Sequence, residues 1–272
     1  MIIKNLENWY TSKRVTEITT IVGNTGYGKS YAGGVIEEKY MEKEWPLSVI
    51  DKMGIHYVLR NKYNKCVIIG GDHGDFSTDQ IDLVMPIIME KDYSYILDLS
   101  EFDEFFAQEF VADFFDYLFQ WHKEHQKPRH YLIEEADAFL GQTGTLKECK
   151  TVLTRCITKG RMNGFGFTLI SQRFRMLDKT PLGQTKNYII FNMKLPIDLN
   201  TLKMLVGDDI SFKVRRLKQG QCIIMTDEGH SSYSVGVRKC PTVADTPEIG
   251  VVLKKVEVLS LDEKINKELK GH

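Results

Sequence analysis

One stretch constrains this chain more than any other. Gly23 to Ser30 reads GNTGYGKS and lies between an apolar run, Thr16 to Val22 (TEITTIV), and a helical one, Ser30 to Met41. Glycines in such a loop let backbone N–H groups converge on phosphate oxygens, and the following helix adds its positive N-terminal end. In the pattern GxxxxGK[ST] the lysine reaches the β- and γ-phosphates and the hydroxyl holds Mg²⁺. The whole loop (Gly23, Asn24, Thr25, Gly26, Tyr27, Gly28, Lys29 and Ser30) is therefore the expected site for ATP and Mg²⁺, with Ser30 on the metal. A plain glycine turn before a helix satisfies the same pattern. The strand before it and the helix after it favour the phosphate reading.

The rest of the chain alternates in the same way. Leu47 to Asp51, Cys66 to Ile69, Tyr95 to Leu99, Tyr131 to Ile133, Gly166 to Ile170 and Tyr188 to Met193 are short apolar runs of buried-strand type. Helical patterns fall between several of them, over Glu101 to His125 and Leu146 to Lys159. Alternation of this kind predicts an α/β fold, a mostly parallel sheet flanked by helices. The rings of Phe105, Phe106, Phe110, Phe114, Phe115 and Phe119 recur at helical spacing, which reads as core packing rather than a base-stacking platform. Gly220 to Asp227 and Ser231 to Lys239, joined through Glu228 and Gly229, read as a C-terminal β-hairpin. The expected division is an ATPase domain over 1–240 and a C-terminal extension over 241–272, whose short charged helix opens at Ser260.

Hydrolysis needs more than the loop. A carboxylate at the end of a neighbouring strand holds the metal's water shell, and a second polarises the attacking water. Arg129 to Phe139 reads RHYLIEEADAF, an apolar strand ending in two acids, so Glu134 is the candidate on the metal and Glu135 the candidate general base. Asp98 also ends an apolar run and competes for the role, and both glutamates also fit as solvated charges at a helix start. Gln172, at the end of Phe165 to Arg173 (FGFTLISQR), is placed to sense the γ-phosphate. Arg161, in the basic turn before that strand, is either a surface arginine or a guanidinium reaching across a subunit boundary.

In this order and spacing, these elements resemble the HerA/FtsK superfamily of hexameric DNA-translocating ATPases, on its HerA side. The likeness runs over roughly Ile18 to Lys239 and includes VIDKMGIHYVL, YLIEEAD, TKGRMNGFGFTLISQR and LKQGQCIIM. The resemblance implies Lys29 and Ser30 as nucleotide and metal contacts, Glu134 and Glu135 as the Walker B pair, Gln172 as sensor and Arg161 as an arginine finger acting in trans. It leaves Asp98 a structural acid. Glu134 stands where the family usually has aspartate, and Asp137 where it has histidine. About 15 residues precede the first expected strand, which implies a core without the N-terminal β-barrel of the longer HerA proteins.

Charge bears on partners only locally, since the formal net charge is -1 and the pI about 6.7. Residues 72–137 hold 17 acids against 4 bases, and residues 147–218 hold 15 bases against 5 acids. Lys147, Lys150, Arg155 and Lys159 form one basic row and Lys213, Arg215, Arg216 and Lys218 a second, suited either to sequence-independent DNA contacts or to the acidic surface of a neighbouring subunit. The implied assembly is a homo-oligomer, a hexameric ring, that moves DNA and serves a nuclease or other effector. An ATP-dependent switch that organises a partner without moving DNA, and a small-molecule kinase, are the other readings. The five cysteines (Cys66, Cys149, Cys156, Cys222 and Cys240) are scattered, odd in number and without a CxxC pair, as expected of packing thiols in cytoplasm. No signal-peptide pattern or membrane-span-length apolar run is present, so a soluble, cytoplasmic protein with no membrane partner is expected.

Overall fold

A computed structural model describes residues 4–242; all but the first two residues of the expected C-terminal extension lie outside them. In chain order the elements are β1 (Lys4–Asn5), β2 (Ile18–Val22), α1 (Lys29–Glu42), β3 (Leu47–Asp51), β4 (Cys66–Ile69), α2 (Ile81–Glu90), β5 (Ser94–Asp98), α3 (Glu104–His125) and β6 (Arg129–Ile133). They continue with α4 (Asp137–Leu140), α5 (Lys147–Lys159), β7 (Phe165–Ser171), α6 (Lys179–Gly183), β8 (Asn187–Ile190), α7 (Pro196–Val206), α8 (Asp208–Val214), β9 (Gln221–Thr226) and β10 (Gly229–Ser234).

All ten strands form one sheet in the order β1-β10-β9-β8-β2-β7-β6-β3-β5-β4. The strands from β8 to β4 in that order run parallel, whereas β9 is antiparallel to both β8 and β10 and β1 pairs parallel with β10. The expected α/β fold is thus present. Strands β2 to β8 are buried along their whole length, as the unalternating apolar runs require of a sheet covered on both faces. One apolar layer packs α2, α3, α5, α7 and α8 against the sheet; the other packs α1 and the N-terminal 3₁₀ turns.

Two expectations need correction. Phe114 and Phe115 are buried and Phe110 and Phe119 half-buried, but Phe105 and Phe106 are 58% and 50% exposed. They occupy the first turn of α3, just after the Asp103 cap, before the helix meets the sheet at Ala107 and Val111. The hairpin's second strand also ends early. After Ser234 the chain leaves the sheet and runs beside α1, where Glu38 accepts hydrogen bonds from the Lys239 and Cys240 amides at 2.7 and 2.9 Å. The five cysteines are buried and none forms a disulfide among the described residues, as expected of packing residues.

Strand order and register position the site. The chain leaves β2 on one side and enters β3 beyond β7 and β6, which creates the crevice at strand carboxyl ends where α/β sheets hold ligands. Val22 lies opposite Ser171 and Ile133 opposite Leu169, so the residues that follow β2, β7 and β6 emerge at one edge.

Candidate active site

The loop after β2 is shaped by its glycines. A side chain at Gly23 would collide with the Phe191 Cβ, and Gly28 caps α1 at a φ of 105°, in the left-handed region that favours glycine. The Asn24 amide donates to the Asn192 carbonyl at 2.8 Å and the Gly220 amide donates to the Tyr27 carbonyl at 3.1 Å, which pin the loop to the segments after β8 and before β9. No side chain caps the N-terminus of α1. Its first N–H groups therefore remain available to an anion. Lys29 is buried, and its Nζ donates to the Asn24 carbonyl at 3.2 Å, folded over the loop that it would serve. Burial lowers the Lys29 pKa, an effect opposed by the carboxylates of Glu134, Asp137 and Glu135.

Beside the loop opens a cleft of about 590 Å³, a size suited to a cofactor. Lys29, Ser30, Glu134, Glu135 and Gln172 all line it. Glu134 is 3% exposed; burial raises its pKa, and His56 and a hydrogen bond with the Ser30 side chain act against that rise. One oxygen of Glu134, Oε2, is buried without a hydrogen-bond partner. Ser30 and an unsatisfied carboxylate suit Mg²⁺, a hard ion that takes few protein ligands and keeps several waters. The extra methylene of glutamate still brings the carboxyl to Ser30.

Glu135 is half-buried and sits at a φ of 48°, a left-handed conformation costly for a residue with a side chain. Strain of this kind concentrates at functional sites. The Thr25 hydroxyl donates to Gln172 Oε1 at 3.2 Å, so the glutamine after β7 touches the phosphate loop itself. Strand order removes Asp98 from contention: β5 is separated from β2 by β3, β6 and β7. Asp98 instead accepts from the Ser100 amide at 2.9 Å, and the backbone of Gly71 packs against its carboxylate.

Arg161 is not in this cleft. It is exposed in the turn before β7, and the 7 residues of that strand separate it from the loop edge by roughly 20 Å. The basic row on α5 is half engaged within the chain, since Lys150 donates to the Gly141 carbonyl at 3.1 Å and Arg155 pairs with Asp116. Lys147 and Lys159 are exposed, as are Lys213, Arg215, Arg216 and Lys218.

Several site residues escaped sequence reasoning. Asp51 accepts four backbone hydrogen bonds, from Met53, Gly54, Ile55 and His56 at 2.8–3.0 Å, and so shapes the cleft wall that carries Met53 and Ile55. His56 lies 2.8 Å from the Glu37 carboxylate with both side chains buried, held by charge more than by a well-aligned hydrogen bond. Burial pulls the His56 pKa down, but Glu37, Asp51 and Glu134 outweigh it and raise it to about 10. On the opposite wall stand Tyr31, Gln219, Arg238 and Thr242. Asp51 and His56 fall inside the quoted VIDKMGIHYVL motif, whereas nothing in the sequence around Arg238 marks it.

No protein-family model matches the chain. The DNA-packaging ATPase B204 of Sulfolobus Turreted Icosahedral Virus superposes with a TM-score of 0.59 at 17% identity, over 80% of this chain and 97% of that one. VirB4 of Thermoanaerobacter pseudethanolicus gives 0.59 at 10% identity, over 81% and 89%. The chain therefore shares the fold of these proteins. In sequence, a probable helicase of Methanocaldococcus jannaschii is 28% identical over 208 residues, which cover 73% of this chain and 38% of the relative. A second probable helicase of that organism is 30% identical over 106 residues, 38% of this chain and 20% of the relative. The chain thus spans well under half the length of the curated relatives it matches. A B204 structure from Sulfolobus turreted icosahedral virus 2 in complex with AMPPCP shares the fold with a TM-score of 0.59 at 19% identity, over 82% of this chain and 100% of that one. In this chain the fold places Lys29 and Ser30 of the glycine loop, Glu134, Glu135 and Gln172 on a single cleft. Among the described residues no helix is long and apolar enough to cross a membrane.

Proposed function

We propose that this chain is the ATPase core of a ring-forming, HerA-like DNA translocase, in which ATP is hydrolysed between subunits. The observation that carries the reading is the split between the cleft, which gathers Lys29, Ser30, Glu134, Glu135 and Gln172, and Arg161, exposed at the far edge of the same sheet. An arginine that cannot reach its own cleft is available to a neighbour's, as an arginine finger acting in trans requires. In the proposed reaction Glu135 accepts a proton from water as its oxygen attacks the γ-phosphorus; the bond to the β,γ-bridging oxygen breaks, releasing ADP and phosphate. Lys29 and the α1 N-terminus hold the phosphate oxygens, Gln172 orients the terminal group, and Arg161 of the next copy offsets charge in the transition state. Mg²⁺, held by Ser30 and Glu134, would add further charge neutralisation. The exposed cations Lys147, Lys159, Lys213, Arg215, Arg216 and Lys218 would meet DNA phosphates without reading sequence. A hexamer, a cytoplasmic setting and a nuclease or other effector that uses the work complete this reading.

The engagement of Lys150 and Arg155 inside the chain favours a second reading, an ATP-dependent assembly switch that moves no DNA. Steady-state ATP hydrolysis, measured with and without duplex and single-stranded DNA over a salt titration, separates the two. A translocase is stimulated at low salt and loses the stimulation as salt rises. A switch shows none. Lys29→Ala should abolish hydrolysis in either case, and unaltered turnover would refute the ATPase assignment. Arg161→Ala should abolish turnover while sparing nucleotide binding, and mixing it with Lys29→Ala chains should restore activity at mixed interfaces.

A further inference from the structure

The cleft has two walls, and the nucleotide reading above accounts for only one. Glu134, Glu135 and Gln172 stand on the β6–β7 side of the phosphate loop. A terminal phosphate bound among them lies on that side, so the nucleoside must leave the loop in the other direction, towards β8 and β9. Arg238 stands there. Its side chain is only 7% exposed, it lines the cleft, and one terminal nitrogen, Nη2, is buried without a hydrogen-bond partner among the described residues.

The guanidinium is held in place by a built seat. Its Nε donates to Glu38 at 3.5 Å, the Arg238 amide donates to the Tyr31 hydroxyl at 2.9 Å, and the following two amides bond Glu38. Gly34 completes the seat, because a Cβ there would land on the guanidinium carbon. Tyr31, Gly34 and Glu38 recur at three- and four-residue spacing and so present one stripe of α1 to Arg238. A buried cation with an unfilled donor, facing a cleft that begins at a phosphate loop, is a site for an anion.

We propose that Arg238 is a nucleotide ligand supplied by the same chain, its guanidinium binding the phosphate nearest the nucleoside. Lys29 and the helix N-terminus then hold the outer phosphates, and Arg238 holds the α-phosphate, which ATP and ADP share. This assignment rests on the nucleotide reading of the cleft. It differs from the role given to Arg161, which acts from another copy and only on the terminal group.

The test is calorimetric titration of the full chain with ATP and with ADP in Mg²⁺ buffer, for the wild type, Lys29→Ala, Arg238→Ala, Arg238→Lys and Gly34→Ala. Gly34→Ala keeps the arginine and the two backbone amide bonds to Glu38 but displaces the guanidinium, and alanine within a helix is no worse for folding than glycine. Arg238→Ala and Gly34→Ala should each weaken ATP and ADP by the same factor, about 10- to 100-fold, the scale of a charge-assisted hydrogen bond. Arg238→Lys should recover part of the loss. Thermal melting of Gly34→Ala should match the wild type, which separates a lost ligand from a lost fold. Unchanged affinities in both variants, or a loss confined to ATP, would overturn the assignment while leaving nucleotide binding standing. Failure of the wild type itself to bind either nucleotide would overturn the reading beneath it, and this inference with it.

Discussion

Replacing His56 by leucine should be among the most destabilising single changes near the cleft. The imidazole and the Glu37 carboxylate are both buried and 2.8 Å apart, and Asp51 and Glu134 add two more acids around them. The leucine variant strands a buried carboxylate among others, a loss of about 3–5 kcal/mol for a broken buried pair. A histidine pKa raised from 6.5 to about 10 corresponds to stabilisation of the same order, at roughly 1.4 kcal/mol per unit. For a chain of this size such a loss lowers Tm by on the order of 10 °C. The sign with pH follows from the raised folded value. The histidine's contribution is fully present below its unfolded pKa near 6.5 and disappears as pH rises through about 10. Thermal unfolding followed by circular dichroism at pH 6, 8 and 10 is the assay. The wild type should lose stability across this range by more than His56→Leu does, and the Glu37→Leu/His56→Leu double variant should recover most of the single variant's loss. A His56→Leu protein within about 1 kcal/mol of the wild type at pH 6, with the same pH slope, would refute the argument.

Two further outcomes follow from the backbone. Glu135→Asn should abolish hydrolysis, since the carboxylate is gone, yet raise stability by about 1 kcal/mol, because asparagine tolerates the left-handed φ of 48° better; chemical unfolding and a phosphate-release assay read the two effects. Gly166→Ala should destabilise the fold by more than about 2 kcal/mol, because its Cβ would be driven into the Val15 carbonyl beneath β7, and a denaturant midpoint close to the wild type's would contradict this packing.

The parts of the molecule that follow local rules were legible in the sequence. Strands β3 and β4 fall on the expected residues because short, mainly apolar runs of five and four with clear flanks leave little choice, and the glycine loop announces itself by spacing. What was missed lies where sequence-distant segments meet. The amphipathic α2 carries Pro86 in its interior, which reads as a helix breaker, and α7, which begins at Pro196, and α8, which follows Gly207, lie in a stretch that shows no clear period. Glu134 could be ranked above Asp98 only through family resemblance, because both end apolar strands; the sheet order makes the choice physical. The pairing of Glu37 with His56 and the seat of Arg238 beside Gly34 join residues 19 and 204 positions apart, beyond the reach of any periodicity.

The four amide hydrogen bonds gathered by Asp51 have a mechanical consequence. They turn the segment carrying Met53 and Ile55 into a rigid abutment, since a carboxylate released from four amides would leave buried, unsatisfied groups behind. The compliance that the site needs to grip and release a nucleotide is therefore assigned to the opposite bank, where Gln219 and Thr242 are exposed loop residues. Amide exchange should register this asymmetry as slow exchange at residues 53–56 and faster exchange, slowed by nucleotide, at residues 218–220.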